Sequence, residues 1–193
     1  MSYRWVDSHT LTAMSTIHPP IPVKLFIGMI SNDPGLFDAA AKPLLVEYGP
    51  ADLRSEPVPW EHTEYYRDEM GTDLLRCFLF FERLVDPATL VSTKQFTNRL
   101  EEEFSTDSGG LRNRRINLDP GYITEAKVVL ASAKDFAHRV YLCEGIYAEV
   151  TLQFHGTSYH PIETTYPDFR TPQVRALFSK ARKSLRAALQ RSR

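Results

Sequence analysis

Between Asn117 and Phe169 the chain gathers Asp119, Lys127, Lys134, Asp135, His138, Arg139, Glu149, Tyr166 and Asp168 around short apolar runs. A histidine next to an arginine and shortly after a lysine can act as general acid or base beside a cationic clamp, the arrangement that phosphate-ester and nucleotide chemistry uses. In that reading Lys134 and Arg139 bind the anion. Lys127, Tyr147, Tyr166 and Asp168 add ligand contacts, and His138 transfers a proton with Asp119 and Glu149 as its catalytic partners. Asp119, Glu149 and Asp168 also have the hard oxygen chemistry to hold Mg²⁺. Tyr65 and Tyr66, near Glu69, offer ring faces on which a base or sugar could stack.

Each of these has a plainer reading. Arg139 and Glu149 make a cross-strand ion pair on a solvated sheet face, worth about 0.2–1 kcal/mol, and that reading takes precedence for the two of them. A single histidine near a strand start is more often structural. Pro120-Gly121 is explained by a type II turn after a strand, and Tyr65 and Tyr66 by packing of their loop onto its own domain. Sharper chemistries lack their residues. There is no G-x-x-x-x-G-K-[ST] phosphate loop and no Rossmann glycine fingerprint, so nicotinamide and flavin cofactors have no signature here. His138, His155 and His160 miss the zinc spacings, a single H-x-[ST] occurs at His155, and no G-x-S-x-G elbow is present.

The elements that must position these residues follow from periodicity and turn chemistry. Val23 to Ile30 reads as a buried strand. Asp33-Pro34 caps and opens a helix carrying Phe37, Ala40, Leu44 and Tyr48, which Gly49 stops and Pro43 should kink. Ala51 to Val58 is an edge strand because of its prolines, and Leu74 to Leu84 is a central one, apolar on both alternations. Asp86-Pro87 opens a second helix with Leu90, Thr97, Leu100 and Phe104 on its inner face. A loop from Ser105 to Asn113 leads to an edge-like strand, Arg115 to Asp119.

This order, βαββαβ, predicts an α+β fold with a ferredoxin-like split βαβ core. One link is unusually long, Glu56 to Asp73, and lengths of that kind are uncommon without a purpose. Beyond the core, Arg139 to Leu142 and Ile146 to Phe154 form a hairpin around Cys143-Glu144-Gly145, with Leu142 opposite Ile146, Tyr141 opposite Tyr147 and Arg139 opposite Glu149. Alternation places Val140, Leu142, Ile146, Ala148, Val150, Leu152 and Phe154 on a core face and the polar set on the other. Thr171-Pro172 opens a C-terminal helix with Val174, Leu177, Phe178, Ala181 and Leu185 inward, and eight Lys or Arg with no acid follow Asp168.

Composition narrows the classes. The 193 residues are 42% hydrophobic, enough for one ordinary core, read as a single domain over residues 21–193 behind an arm at 1–20. Met14 is an alternative start. With 23 basic and 24 acidic side chains no global field draws the chain to nucleic acid or lipid. The basic C-terminal helix keeps RNA open as a local partner, and no run reaches membrane-spanning length. Cys77 and Cys143, without a C-x-x-C pair, fit a reducing compartment such as the cytoplasm. Two functional classes are therefore carried forward: a small enzyme or binding protein for a phosphorylated or nucleotide-like anion, and a non-catalytic protein- or RNA-interaction module.

Several runs resemble a prokaryotic domain-of-unknown-function family. They are Val23-Lys24-Leu25-Phe26, Tyr65-Tyr66 to Met70-Gly71, Asn117 to Tyr122, Lys134-Asp135 with His138-Arg139 and Tyr141-Leu142, Gly145 to Leu152, and Thr165 to Arg170. The resemblance covers about Pro19 to the C-terminal helix and implies no particular activity. Members are often labelled GTP-binding, but here Ser132-Ala133-Lys134 is only a three-residue echo of a guanine-contacting motif. The chain departs from the family pattern at Pro43, at His62 and in its longer N-terminal arm.

Overall fold

A computed structural model describes residues 16–61, 67–108 and 111–191; Tyr65, Tyr66, His62 and Gly109-Gly110 lie outside them. In chain order its elements are β1 (Val23–Ser31), α1 (Pro34–Tyr48), β2 (Ala51–Arg54), β3 (Val58–Pro59), α2 (Arg67–Met70), β4 (Leu75–Val85), α3 (Leu90–Glu103), β5 (Thr106–Ser108), β6 (Leu111–Asn113), β7 (Asn117–Ile123), β8 (Lys127–Ser132), β9 (Val140–Cys143), β10 (Ile146–His155), β11 (Ser158–Pro161) and α4 (Pro172–Arg191). The fold is mixed α/β. One antiparallel sheet has the order β11-β10-β8-β7-β1-β4-β2, with β3 on β4 and β9 on β10. β1 and β4 are buried on both faces through most of their length, which is why they lie inside the sheet.

Caps and glycines fix the helices. Asp33 accepts from the Gly35 N–H at 2.9 Å, Pro34 takes the first helical position, and Gly49 ends α1 at φ 87°. α1 runs on past Pro43. α1 and α3 cover one face of the sheet, against Leu25, Ile27, Met29, Leu79 and Leu118. α4 lies on the other face, where Phe178 meets the edge of Phe26 at 4.9 Å and packs on Val128 and Leu152. Its apolar stripe is the one expected: Val174, Phe178, Ala181 and Leu185 are buried.

The fourth core strand is not an edge. β7 is flanked by β1 and by β8, whose buried run Val128 to Ala131 makes it an interior strand that the sequence reading passed over. Pro120-Gly121 is not a turn either. Both residues sit inside β7, Pro120 opposite Ile27 and Gly121 between Phe26 and Leu130. Gly121 is required by close approach, since a Cβ there would stand 2.4 Å from the Val129 carbonyl and 2.5 Å from the Phe26 ring.

The hairpin is tighter than expected. Glu144 and Gly145 form a two-residue turn, both at positive φ, so Ile146 pairs with Cys143 rather than Leu142, while Tyr141 does face Tyr147. The simple alternation also fails. Val140, Tyr141 and Leu142 are exposed, since β9 pairs only with β10, whereas Glu149 is buried under Arg139, His138 and Tyr166; β10 also changes register against β8 between Val150 and Leu152. The expected loop at Ser105 to Asn113 contains a small hairpin of β5 and β6.

Candidate functional site

β7 and β8 stay paired only from Gly121–Leu130 to Ile123–Val128 and then separate. A cleft of about 650 Å³ opens where they part, with Asn117 and Asp119 of β7 on one wall and Leu130, Ala131 and Ser132 of β8 on the other. Parting leaves the Leu118 peptide without a strand neighbour on that side. Two side chains of α3 take the neighbour's place: Lys94 Nζ donates to the Leu118 carbonyl at 3.0 Å, and the Leu118 N–H donates to Glu101 Oε1 at 2.6 Å. A buried peptide would otherwise lose about 1–3 kcal/mol per unmet group. Pro120, two residues on, points its ring nitrogen to the same side, where no ladder remains to need an N–H.

Arg76 of β4 crosses the cleft floor. Its Nη1 donates to Asp119 Oδ2 at 3.1 Å, and Asn117 donates to the same oxygen at 2.8 Å. Its Nε lies 3.4 Å from Asp168 Oδ2, without hydrogen-bond geometry. The guanidinium sits 4.7 Å from the ring centroid of Phe78 and 5.6 Å from that of Phe169. Burial works to raise the Asp119 carboxyl, but Lys94 and Arg76 outweigh it and hold the group below the usual carboxylate range. Burial has the upper hand at Glu101 and pushes that carboxyl up despite Lys94 and the Leu118 N–H.

Glu149 organises the opposite wall. It lies 2.5 Å from His138 Nε2 and 3.2 Å from Arg139 Nε, and it also bonds the Tyr166 hydroxyl. Arg139 spends its other donors on Ser132 Oγ (2.7 Å), the Lys134 carbonyl (2.8 Å) and Tyr166 (2.6 Å), with its guanidinium 4.6 Å from the Phe136 ring. The ion pair expected on a solvated face is thus a buried one, both side chains being under 5% exposed. Burial, then the Glu149 charge, pushes the Tyr166 hydroxyl well above its ordinary value. At the mouth Arg114 grips Glu69 with two bonds, 2.7 and 2.6 Å, which keep the Glu69 carboxyl low, and reaches Glu101 at 3.4 Å.

Of the residues singled out in the sequence, Asp119, Lys134, Arg139, Glu149, Tyr166 and Asp168 line this one cleft. His138 does not; it meets the site through Glu149. Lys127 begins β8 opposite Gln153, and Tyr147 packs its ring on Tyr141 at 5.3 Å, both away from the cleft. Asp119 and Asp168 face Arg76 rather than Glu149. Among the described residues no group of three or more His, Cys, Asp or Glu side chains is placed to share a metal ion. Sequence reasoning missed Arg76, Lys94 and Glu101. The signals were present: a cation, Arg76, next to the unbroken apolar run Cys77 to Phe81 of a central strand, and charges at two positions of the stripe Leu90, Lys94, Thr97, Glu101, Phe104 that faces the sheet.

Fold and site together define a mixed α/β protein with a polar cleft let into its antiparallel sheet. Residues 21–185 match the family described as a domain of unknown function, DUF4416, and the chain belongs to that family. No match was found among curated proteins or solved structures. No helix among the described residues is long and apolar enough to cross a membrane.

Proposed function

We propose that the chain binds a small phosphorylated or nucleotide-like anion in the cleft between β7 and β8, as an enzyme or a ligand-binding protein of the cytoplasm built on a ferredoxin-like core. The run β7-β1-β4-β2, antiparallel throughout and joined through α1 and α3, supports that core. The observation that carries the ligand reading is the concentration of Arg76, Lys94, Arg114, Lys134 and Arg139 around one cavity of about 650 Å³, a size suited to a small molecule. Lys134 and Arg139 hold the anion in this reading, and Phe136 and Tyr166 present rings to the rest of the ligand. His138 reaches it only by way of Glu149, so a proton it carries passes through that carboxylate.

Thermal unfolding against inorganic phosphate, nucleotides and sugar phosphates tests the proposal. A ligand at 100 times its dissociation constant adds about 2.7 kcal/mol, a rise of roughly 5–10 °C for a chain of this size. The rise should vanish in Arg139→Ala, and no rise with any of these compounds would overturn the reading. A second reading, an interaction module for protein or RNA, draws on the exposed Val140, Tyr141 and Leu142 of β9. The basic helix favours it less, since Arg182 and Arg186 are occupied by the Glu125 carbonyl and carboxylate. A partner captured by the wild-type chain and lost in Tyr141→Asp, with no small-molecule shift, would favour the module.

A further inference from the structure

The cations of the cleft do not wait empty-handed. Arg76, Lys94, Arg114, Lys134 and Arg139 share the cavity with Glu101, Glu102, Asp119, Glu149 and Asp168. An incoming anion therefore has to take the place of a carboxylate already there, and the poorest existing bond is the one that yields. Glu149 is held by His138, Arg139 and Tyr166, and Asp119 by Arg76 and Asn117. Asp168 is different. It is 6% exposed, yet the 3.4 Å approach to Arg76 Nε is its sole side-chain pairing among the described residues.

The other half of that contact is equally poor. Arg76 is 3% exposed, lines the cleft, and among the described residues its buried Nε has no hydrogen-bond acceptor. A buried charged donor left in this state is costly, and such groups call for an explanation. The guanidinium is nevertheless held firmly in place. Phe78 and Phe169 flank it, Asp119 fixes its Nη1, and Gly28 makes room for its Nη2, which would stand 2.6 Å from a Cβ on β1. The Nε–Nη2 edge is the side-on fork that donates to two oxygens of a carboxylate or phosphate.

We propose that Arg76 joins Lys134 and Arg139 in holding the anionic group of the ligand, its free edge receiving a phosphate or carboxylate oxygen pair, and that Asp168 is an internal stand-in which yields this edge when the ligand enters. Asp168 is placed to yield. It sits in the 3-10 turn Asp168–Arg170 just before α4, where its backbone carbonyl, not its carboxylate, makes the turn's bonds to Thr171. This inference rests on the cleft being an anion site.

Titration calorimetry with inorganic phosphate, pyrophosphate and succinate, on wild type, Asp168→Asn and Arg76→Lys, tests both at once. Asp168→Asn keeps the shape of the turn but removes the competing charge. The variant should bind the preferred anion about tenfold more tightly than wild type, and Arg76→Lys about tenfold more weakly or worse. A role in stability alone would not tighten binding. Binding in wild type with no gain in Asp168→Asn overturns the stand-in and leaves the cleft reading intact; binding unchanged in Arg76→Lys overturns Arg76 as an anchor. Absence of binding in wild type and Asp168→Asn alike removes both the inference and the reading beneath it. If Arg76→Lys loses its circular dichroism, Gly28→Ala replaces it, and unchanged anion affinity there counts against Arg76. The phosphate and succinate arms decide which anion class the fork prefers.

Discussion

Gly121→Ala should be among the most damaging single-methyl additions this chain can receive. The new Cβ would sit 2.4 Å from the Val129 carbonyl and 2.5 Å from the Phe26 ring. Neither can step aside at low cost. Val129 is backbone of the neighbouring strand, paired with Tyr122, and Phe26 is wedged by Phe178 at 4.9 Å and Phe80 at 5.7 Å. Overpacking a filled core costs about 1–3 kcal/mol, and here the strain also falls on the first of the pairs joining β7 to β8. An expected loss of about 3 kcal/mol corresponds to roughly 6–12 °C in midpoint for a chain of this length. Gly28→Ala is the internal control, because its Cβ meets the tip of Arg76 at 2.6 Å, a side chain rather than a strand. Urea unfolding of the two variants should show Gly121→Ala clearly worse. A Gly121→Ala loss under about 1 kcal/mol, or the reverse ranking, would refute the view that β7 and β8 are pinned together at Gly121.

Removing the centre of the second polar wall, by Glu149→Ala, leaves Arg139 buried without its carboxylate and should cost about 3–5 kcal/mol, read by the same unfolding curves. Acid unfolding should depend on Asp119. Its folded carboxyl is low, so its contribution is complete above the unfolded value of about 3.9 and is lost as pH falls through the folded value; Asp119→Asn should flatten that part of the profile. Glu101 has the opposite sign. Its raised folded value means stability declines as pH climbs from about 4.3 toward that value, and Glu101→Gln, which still accepts from the Leu118 N–H, should remove the decline while Glu101→Leu costs about 1–3 kcal/mol at all pH. Glu144, at φ 53° in the hairpin turn, should tolerate Asn with a gain of up to about 1 kcal/mol, and a clear loss would show that its bond from Gln95 matters more than the backbone strain.

The sequence disclosed elements whose signals are local. Asp33-Pro34 and Gly49 delimit α1, and the doubly apolar runs of β1 and β4 announce interior strands. Where two signals competed, the local one misled. Pro120-Gly121 has turn chemistry, yet the proline fits a strand because its nitrogen faces a gap, and the glycine fits because Phe26 and Val129 crowd it. Neither fact is visible until the neighbours are placed. Likewise Asp119 and Asp168 stood out by type as candidates and do line the cleft, whereas Arg76 and Lys94, which face them, come from a distant strand and helix. Lys94 and Glu101, which the sequence reading did not single out, share the inner face of α3 because a peptide, that of Leu118, lies opposite them.

Pro120 has a consequence for motion. Two adjoining strands that have come apart can ordinarily re-zip one residue at a time, each new bond drawing in the next, and a crevice between them would breathe shut. Here the zipper meets a tooth that cannot close, because the next residue of β7 that faces β8 has no hydrogen to give. The inner end of the cleft, next to the last pair Gly121–Leu130, therefore lacks one backbone bond that would carry β7–β8 pairing on toward Asp119. The pairing of the two strands thus stops at residue 120 by the chemistry of a proline, not by the sequence of β8.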